Sequence, residues 1–200
     1  MRKLCSLLLI LSVCLLTACG SSTQPPSTAS STTPPPEPSP TAATSLKAVD
    51  WDNFSYTSSC YGNTQPFITH NGKAENKYIH FEIYQPVSYG DLTGDGQPEA
   101  AVRYSCTGAD FGGVHVLVYS GTASHPVLLG ELPLSDKTEP AEKWSVEKAS
   151  IANRIIQMSG NGYSATAPHC CPDLHIDAAY RWDGKQFVSA QFKTKPLPNA

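Results

Sequence analysis

The sequence predicts a mainly β fold: one domain of antiparallel sheet with little helix, which follows a disordered spacer. Short runs of aromatic and β-branched residues recur after residue 78, turn residues separate these runs, and no segment keeps a helical period over three turns. Such a succession of short strands is typical of antiparallel β proteins. It leaves open whether the strands form a sandwich or a single curled sheet with a small helix.

The candidate strands follow one another along the second half of the chain. A Gly-rich loop at 108–113 separates two of them, and Ala152-Asn153 is the expected turn of a hairpin. Asp183-Gly184 marks the clearest hairpin, because this pair suits the positive φ angles of a type I′ turn. The expected elements are strands at 78–84, 100–105, 114–119, 127–132, 144–151, 154–158, 176–182 and 186–192, with a short helical turn at 140–143.

The first nineteen residues have the pattern of an export signal. Arg2 and Lys3 give a cationic start, and Leu4 to Leu16 is an apolar run interrupted only by two serines. Its thirteen residues are too few for a transmembrane helix, which needs about 20, but they suit the core of a signal peptide. The run ends in Leu16-Thr17-Ala18-Cys19-Gly20, which resembles the lipobox of bacterial lipoproteins.

The lipobox resemblance implies a lipid anchor. In that class the cysteine thiol receives a diacylglycerol, and the signal peptide is then cleaved off at the bond that precedes this cysteine. Residues 1–18 would then be a removed signal peptide, and Cys19 would become the lipid-bearing N-terminus. Because each buried CH₂ contributes about 0.8 kcal/mol, the acyl chains would hold the protein on the extracytoplasmic face of the cell membrane. The alternative is an ordinary signal peptide that ends in cysteine.

Residues 19–46 form the expected anchor and spacer. Residues 20–46 contain seven Pro, thirteen Ser or Thr and a single charged residue, Glu37, and such a composition cannot offset the entropy of ordering. Fully extended, they would reach on the order of 80 Å. Residues 47–200 then fit a single domain by length. Their formal charge is −4 without a basic run, which argues against nucleic acid as a partner.

Four cysteines remain in the expected domain, and an even number in an exported protein indicates disulfides. A bridge between the neighbours Cys170 and Cys171 would be far shorter in Cα separation than usual. We therefore expect Cys60 and Cys106 each to pair with one member of Cys170-Cys171. The alternative is a metal site, although adjacent cysteines chelate poorly. Its ligands would be His169, Cys170, Cys171 and His175.

The segment 91–99 has the oxygen pattern of a calcium loop. Oxygen-bearing side chains occupy loop positions 1, 3, 5 and 9, and Gly96 stands at position 6, where a sharp turn is needed. Ca²⁺ takes six to eight oxygen ligands, and a backbone carbonyl at position 7 completes such a wrap. The expected ligands are Asp91, Thr93, Asp95, the Gln97 carbonyl and Glu99. The alternative is a Gly-rich turn with solvated acids and no ion.

The segment Gly90 to Ala100 resembles the calcium loop of FG-GAP/VCBS-type repeats. The resemblance implies the same ligand set, with a strand on each side of the loop. Thr93 departs from the usual Asp or Asn, and Glu99 from the usual Asp. The remainder of the chain, with its Trp182-Asp183-Gly184 hairpin, resembles uncharacterised exported lipoproteins of actinobacterial type, which implies no known reaction.

No persuasive catalytic constellation is apparent in the sequence. Gly-x-Ser-x-Gly, His-Glu-x-x-His and phosphate-binding loops do not occur. Asp173, His175 and Asp177 would share one strand face, and we favour an exposed polar face of an edge strand over an acid–base pair. Aromatic residues could line a carbohydrate or peptide surface, or could equally form core; these are Tyr56, Tyr61, Tyr163, Trp144 and Trp182.

Two functional hypotheses follow from these patterns. The first is a non-enzymatic module held outside the membrane, which binds a protein or glycan partner and uses calcium for structure. The alternative is a cell-envelope hydrolase or wall-modifying enzyme with unrecognised catalytic residues.

Overall fold

A computed structural model of the chain describes residues 45–60, 65–75, 78–108, 112–133, 144–168 and 170–198. The predicted signal peptide, the lipidation site Cys19, the helical turn at 140–143, Tyr61 and His169 lie outside these ranges. No helix in the described ranges is long and apolar enough to cross a membrane.

The described residues form eleven strands and two short 3₁₀ helices, Leu46–Ala48 and Trp51–Asn53. The strands are β1 Ser55–Tyr56, β2 Phe67–Ile68, β3 Lys73–Glu75, β4 His80–Gly90, β5 Glu99–Thr107, β6 Val114–Thr122, β7 His125–Leu132, β8 Trp144–Ala152, β9 Ile155–Gly162, β10 Leu174–Trp182 and β11 Phe187–Pro196.

The strands are arranged in two larger sheets and one small sheet. The five-stranded sheet has the order β3-β4-β5-β6-β7, the four-stranded sheet has the order β11-β10-β9-β8, and β1 pairs with β2. Every pairing is antiparallel. The prediction of a mainly β, antiparallel fold is confirmed. The two larger sheets pack on each other, and the antiparallel sheets include one that is curled like a half-barrel.

Apolar side chains between the two larger sheets form the main core. β8 contacts β4, β5 and β6, and Ser88 Oγ donates a hydrogen bond across the sheets to Ala149 O at 2.6 Å. Gly90 permits this approach, because a Cβ there would lie 2.7 Å from Ile151 O. The buried residues of the main core are Leu92, Ala101, Val116, Val118, Leu132, Trp144, Val146, Ile151, Ile156, Met158, Ile176, Ala178, Tyr180 and Phe187.

A second core, the outer core, covers the other face of the five-stranded sheet. Because strand residues alternate between faces, Ala101 joins the main core while Val102 joins the outer core. The N-terminal segment supplies Trp51, whose Nε1 donates to Tyr89 Oη at 2.9 Å. The buried residues of the outer core are Leu46, Trp51, Tyr56, Cys60, Phe67, Phe81, Ile83, Val87, Ala100, Val102, Tyr104, Cys106, Leu117 and Tyr119.

Two hairpin turns differ from the sequence prediction. The β8–β9 turn is Asn153-Arg154, with φ angles of 52° and 61°, one residue later than the expected Ala152-Asn153. Asn is tolerated in the left-handed region, so Asn153 opens the turn instead of closing it. β10 and β11 are joined by the four residues 183–186 and not by a two-residue type I′ turn, and Asp183 Oδ1 accepts amide hydrogen bonds within that loop.

The predicted disulfide pairing is wrong. Cys60 pairs with Cys106, with Cα atoms 6.0 Å apart, because the N-terminal segment lies on the outer face of the sheet that contains β5. Cys170 and Cys171 pair with each other in the exposed connection between β9 and β10. Cys170 and Cys171 therefore do not link two distant elements, and the Cys60–Cys106 bridge lies within the outer core.

Candidate calcium loop and polar clusters

The candidate calcium loop, residues 91–99, joins β4 to β5. Gly90 pairs with Glu99 in the ladder between these strands, so the two ends of the loop are fixed by the sheet. Four of the five predicted ligands lie in the connection itself, and the fifth, Glu99, is the first residue of β5. The main core anchors it through Leu92, which is buried.

The buried side chain of Glu99 binds the start of the loop through hydrogen bonds. Its side chain is buried, and its Oε2 accepts hydrogen bonds from Leu92 N at 2.7 Å and from Thr93 N at 2.9 Å. Thr93 Oγ1 donates to Oε1 at 3.3 Å. A buried carboxylate needs such partners, because burying an unpaired charge is costly. Thr93 and Glu99, the two departures from the repeat pattern, therefore contact each other.

Asp91 and Asp95 organise the exposed half of the loop. Asp91 Oδ1 accepts from Gly94 N at 2.6 Å and its Oδ2 accepts from Gly96 N at 3.1 Å. Asp95 Oδ1 accepts from Gln97 N at 2.8 Å. Short side chains of this type commonly stabilise turns through nearby backbone amides. The loop is thus ordered by bonds within its own length.

The donor set fits calcium in chemical type, since it consists of hard oxygens with three carboxylates. A carboxylate has about four lone-pair sites, so Asp91 and Asp95 keep acceptor capacity beyond the hydrogen bonds above. Among the described residues, however, no three His, Cys, Asp or Glu side chains come together as a group that could hold a metal ion. Calcium binding therefore stays a prediction.

Arg154 adds a positive charge to this loop, which the sequence did not suggest. It belongs to the β8–β9 turn of the other sheet, and its Nη2 donates to Thr93 O at 2.8 Å. Gly94 lies directly against the guanidinium, and any Cβ at Gly94 would overlap it. The loop is therefore the place where a turn of the four-stranded sheet docks onto the five-stranded sheet.

A second polar cluster surrounds Glu131 on β7. Glu131 accepts hydrogen bonds from Ser59 N and Ser59 Oγ, both at 2.9 Å, and from Tyr104 Oη at 2.6 Å. His115 Nδ1 lies 3.3 Å from Glu131 Oε1, but without an aligned hydrogen bond. The cluster joins residues that are far apart in sequence, namely Ser59, Tyr104 and Glu131. No local sequence motif therefore predicts it.

The electrostatics of the Glu131 cluster suit a structural role and not acid–base chemistry. Burial alone would raise the pKa of Glu131, but the nearby His115 imidazole and the hydrogen bonds from Tyr104 and Ser59 outweigh burial and lower the pKa to about 2. Burial and the charge of Glu131 raise the pKa of Tyr104, which therefore stays a phenol and donates. A carboxylate with so low a pKa is a poor general base near neutral pH. Glu131 instead ties Ser59 to the five-stranded sheet.

The predicted set of Asp173, His175 and Asp177 is divided in the structure. His175 Nε2 lies 3.3 Å from Asp177 Oδ1, whereas the Asp173 carboxylate accepts from Ser164 N and Ser164 Oγ at 2.7 and 2.5 Å. β10 lies between β9 and β11, so the expectation of an edge strand is wrong. Lys195 on β11 approaches Asp177 at 3.7 Å, which gives a surface ion pair.

Two of the four aromatic candidates that the structure describes are buried core residues. Tyr56 and Trp144 are buried in the outer and main cores, while Trp182 is partly buried and packs against Phe187 with ring centroids 5.1 Å apart. Tyr163 is partly buried as well. Tyr56 and Trp144 are therefore unavailable to a ligand at the surface.

Comparison with known proteins does not assign the chain to a family. No family model matches the sequence, and neither the curated proteins nor the solved structures include a significant match.

Proposed function

We propose that the protein is a lipid-anchored extracytoplasmic module that binds an envelope protein or glycan and does not catalyse a reaction. The observation that carries this proposal is the segment Leu16-Thr17-Ala18-Cys19-Gly20 at the end of a short apolar run. The Pro-, Ser- and Thr-rich residues before Leu46 then precede the packed β domain, and Leu46 is the first buried residue among those that the structure describes. This order suits a tethered domain displayed at a distance from the membrane.

Calcium has a structural role in this proposal. Asp91, Thr93, Asp95, the Gln97 carbonyl and Glu99 are the residues that would hold the ion. The bound ion would supply charge neutralisation and rigidity to the β4–β5 connection. Arg154 places a competing positive charge against the loop, so we expect weaker binding than in a loop of carboxylates alone.

The non-enzymatic part of the proposal rests on the two polar clusters. Glu131 is satisfied by Ser59 and Tyr104, and its low pKa makes it a weak base. Asp173 is engaged by Ser164 and so stands apart from His175. Each cluster thus has a structural explanation, which favours the binding module over the alternative of an envelope hydrolase.

The anchor is tested in a bacterial host with the full chain and its own export signal. We expect labelled palmitate to enter the wild-type protein, and the protein to sediment with membranes. Cys19→Ala should lose both properties. Cys14→Ala, which changes a cysteine inside the apolar run, is the matched control and should keep both. An unlabelled wild-type protein in the medium would contradict the proposal.

Calcium binding is tested by thermal unfolding of the full chain in calcium and in chelator. Calcium at about 100 times its Kd adds about 2.7 kcal/mol, which for a domain of this size raises Tm by roughly 5–10 °C. Asp95→Asn should lose most of this shift. Asp183→Asn, an equivalent change in the β10–β11 loop, should keep it. Identical melting curves in chelator and saturating calcium would exclude the ion.

Incubation with purified cell-wall sacculi separates the two functional hypotheses. A binding module should sediment with the sacculi, or with an envelope protein fraction, and release no soluble fragments. Release of sugar or peptide fragments by the purified full chain would establish the hydrolase instead.

A further inference from the structure

The connection between β9 and β10 exposes two joined cysteines. Cys170 and Cys171 are both exposed, and their Cα atoms are 3.8 Å apart, as adjacency in the chain requires. The other bridge is different, because Cys60 and Cys106 are buried in the outer core. Of the two bridges between described residues, solvent thus reaches Cys170–Cys171 and does not reach Cys60–Cys106.

The base of the same connection is held without the cysteines. Asp173 accepts two hydrogen bonds from Ser164, and its own amide donates to Gly162 O at 3.1 Å. Leu197 N donates to Asp173 O at 2.8 Å, which fastens the end of β11 to the same point. The S–S bond between neighbours closes only a small ring, so opening it leaves these contacts in place.

From exposure, adjacency and this independent base, we propose that Cys170-Cys171 is a thiol–disulfide exchange site whose substrates are dithiols. A bridge can be exchanged only where a thiolate can approach one sulfur in line with the S–S bond. Exposed disulfides are accordingly the labile ones, while buried structural disulfides resist reduction. Cys170-Cys171 meets the access requirement, and Cys60–Cys106 does not.

The exchange is balanced in two steps. One thiolate of the dithiol attacks Sγ of one cysteine, which forms a mixed disulfide and expels the other Sγ as a thiolate. The second thiolate of the dithiol then attacks the dithiol's first sulfur, which is bonded to the protein in the mixed disulfide. This step expels the attacked cysteine as a thiolate. Two electrons pass from the dithiol to Cys170-Cys171, the dithiol leaves as a disulfide, and solvent protons complete the two cysteine thiols.

The test is reduction of the purified, oxidised full chain with graded dithiothreitol. The reaction is quenched with acid, free thiols are alkylated, and the modified peptides are quantified by mass spectrometry. We expect Cys170 and Cys171 to be half reduced at a dithiothreitol concentration at least tenfold below that for Cys60 and Cys106. Equal sensitivity of the two bridges would overturn the proposal, as would alkylation of Cys170 and Cys171 before any reductant is added.

A second measurement tests exchange directly. Cys170→Ser leaves Cys171 as a free thiol, and Cys171→Ser leaves Cys170. We expect at least one of these variants to form a mixed disulfide with oxidised glutathione, seen as a mass increase. Near-ultraviolet circular dichroism should match that of the wild type, because the base of the loop is intact. Folded variants that form no mixed disulfide would show that the pair is inaccessible to exchange and would overturn the proposal.

Discussion

Glu131 shows how one charged side chain is accommodated beside an aromatic sheet face. Its side chain is 19% exposed, and its carboxylate accepts hydrogen bonds from Ser59 and Tyr104. The sequence could not predict this cluster, because Ser59 lies 72 residues before Glu131 and Tyr104 lies 27 residues before it. For Glu99 the loop spacing predicted a calcium ligand, which stays a prediction, and it did not reveal that Leu92 N and Thr93 N donate to the side chain.

The low pKa of Glu131 makes stability depend on pH. The pKa falls from 4.5 to about 2 on folding, so the charged carboxylate stabilises the folded state fully above the unfolded pKa. This contribution, about 3 kcal/mol, should be lost as pH falls from 4.5 towards 2. Glu131→Gln should lower the free energy of unfolding at pH 7 by about 2–3 kcal/mol and flatten its pH dependence in this window. Urea unfolding at several pH values measures both.

Glu75→Gln is the matched control for that measurement. Glu75 is exposed and lies 3.3 Å from His80 at the surface, where an ion pair contributes about 0–1 kcal/mol. Its substitution should leave the pH profile close to that of the wild type. If Glu131→Gln and Glu75→Gln have the same profile, the Glu131 cluster does not stabilise the fold.

At the scale of elements, runs of aromatic and β-branched residues between turn residues predicted β5 and β6 closely, whereas β4, expected at 78–84, extends from 80 to 90. β5 and β6 were expected at 100–105 and 114–119, and they extend from 99 to 107 and from 114 to 122. The turns were less accurate because tertiary contacts select among similar local geometries. Arg154, for example, has a positive φ angle and places its guanidinium on the 91–99 loop of the other sheet.

The docking of Arg154 on that loop makes Gly94 sensitive to substitution. Gly94 has a φ of 85°, and a Cβ there would overlap the guanidinium. Gly96 has a similar φ of 82° but faces open space. Both Gly→Ala changes should cost about 1 kcal/mol for the backbone conformation, and Gly94→Ala should cost roughly 1–2 kcal/mol more for displacing Arg154. Denaturant unfolding measures the difference.

A double variant assigns that extra cost to Arg154. Arg154→Asn removes the guanidinium and places in the turn a residue that tolerates positive φ. In this background Gly94→Ala and Gly96→Ala should become equally costly. A gap between them that survives would mean that the loop backbone, and not the docked arginine, makes Gly94 special.

At the scale of the whole molecule, two packed sheets leave the second face of the five-stranded sheet to be covered by the N-terminal segment. Composition indicated the β class but not this layering, because which segment covers a sheet depends on contacts between distant residues. The disulfides failed as predictions for the same reason. Cys60 meets Cys106 because the covering segment crosses the face that carries β5, and Cys170-Cys171 belongs to a connection within the other sheet.

This layering predicts unequal costs for removing the two bridges. Cys60 and Cys106 are 46 residues apart, and closing a loop of that length restricts the unfolded chain by about 4 kcal/mol. Cys60→Ala/Cys106→Ala should lower the free energy of unfolding by about this amount. It should loosen the covering segment first, which amide hydrogen exchange of Trp51 to Tyr56 would reveal.

Cys170→Ala/Cys171→Ala is the matched control, because it also removes one bridge. The Cys170–Cys171 bridge closes almost no loop, so its removal should lower the free energy of unfolding by less than about 1 kcal/mol. Equal costs for the two double variants would mean that the covering segment is held by its aromatic packing, with Trp51 and Phe54 rings 5.0 Å apart, and not by the covalent link.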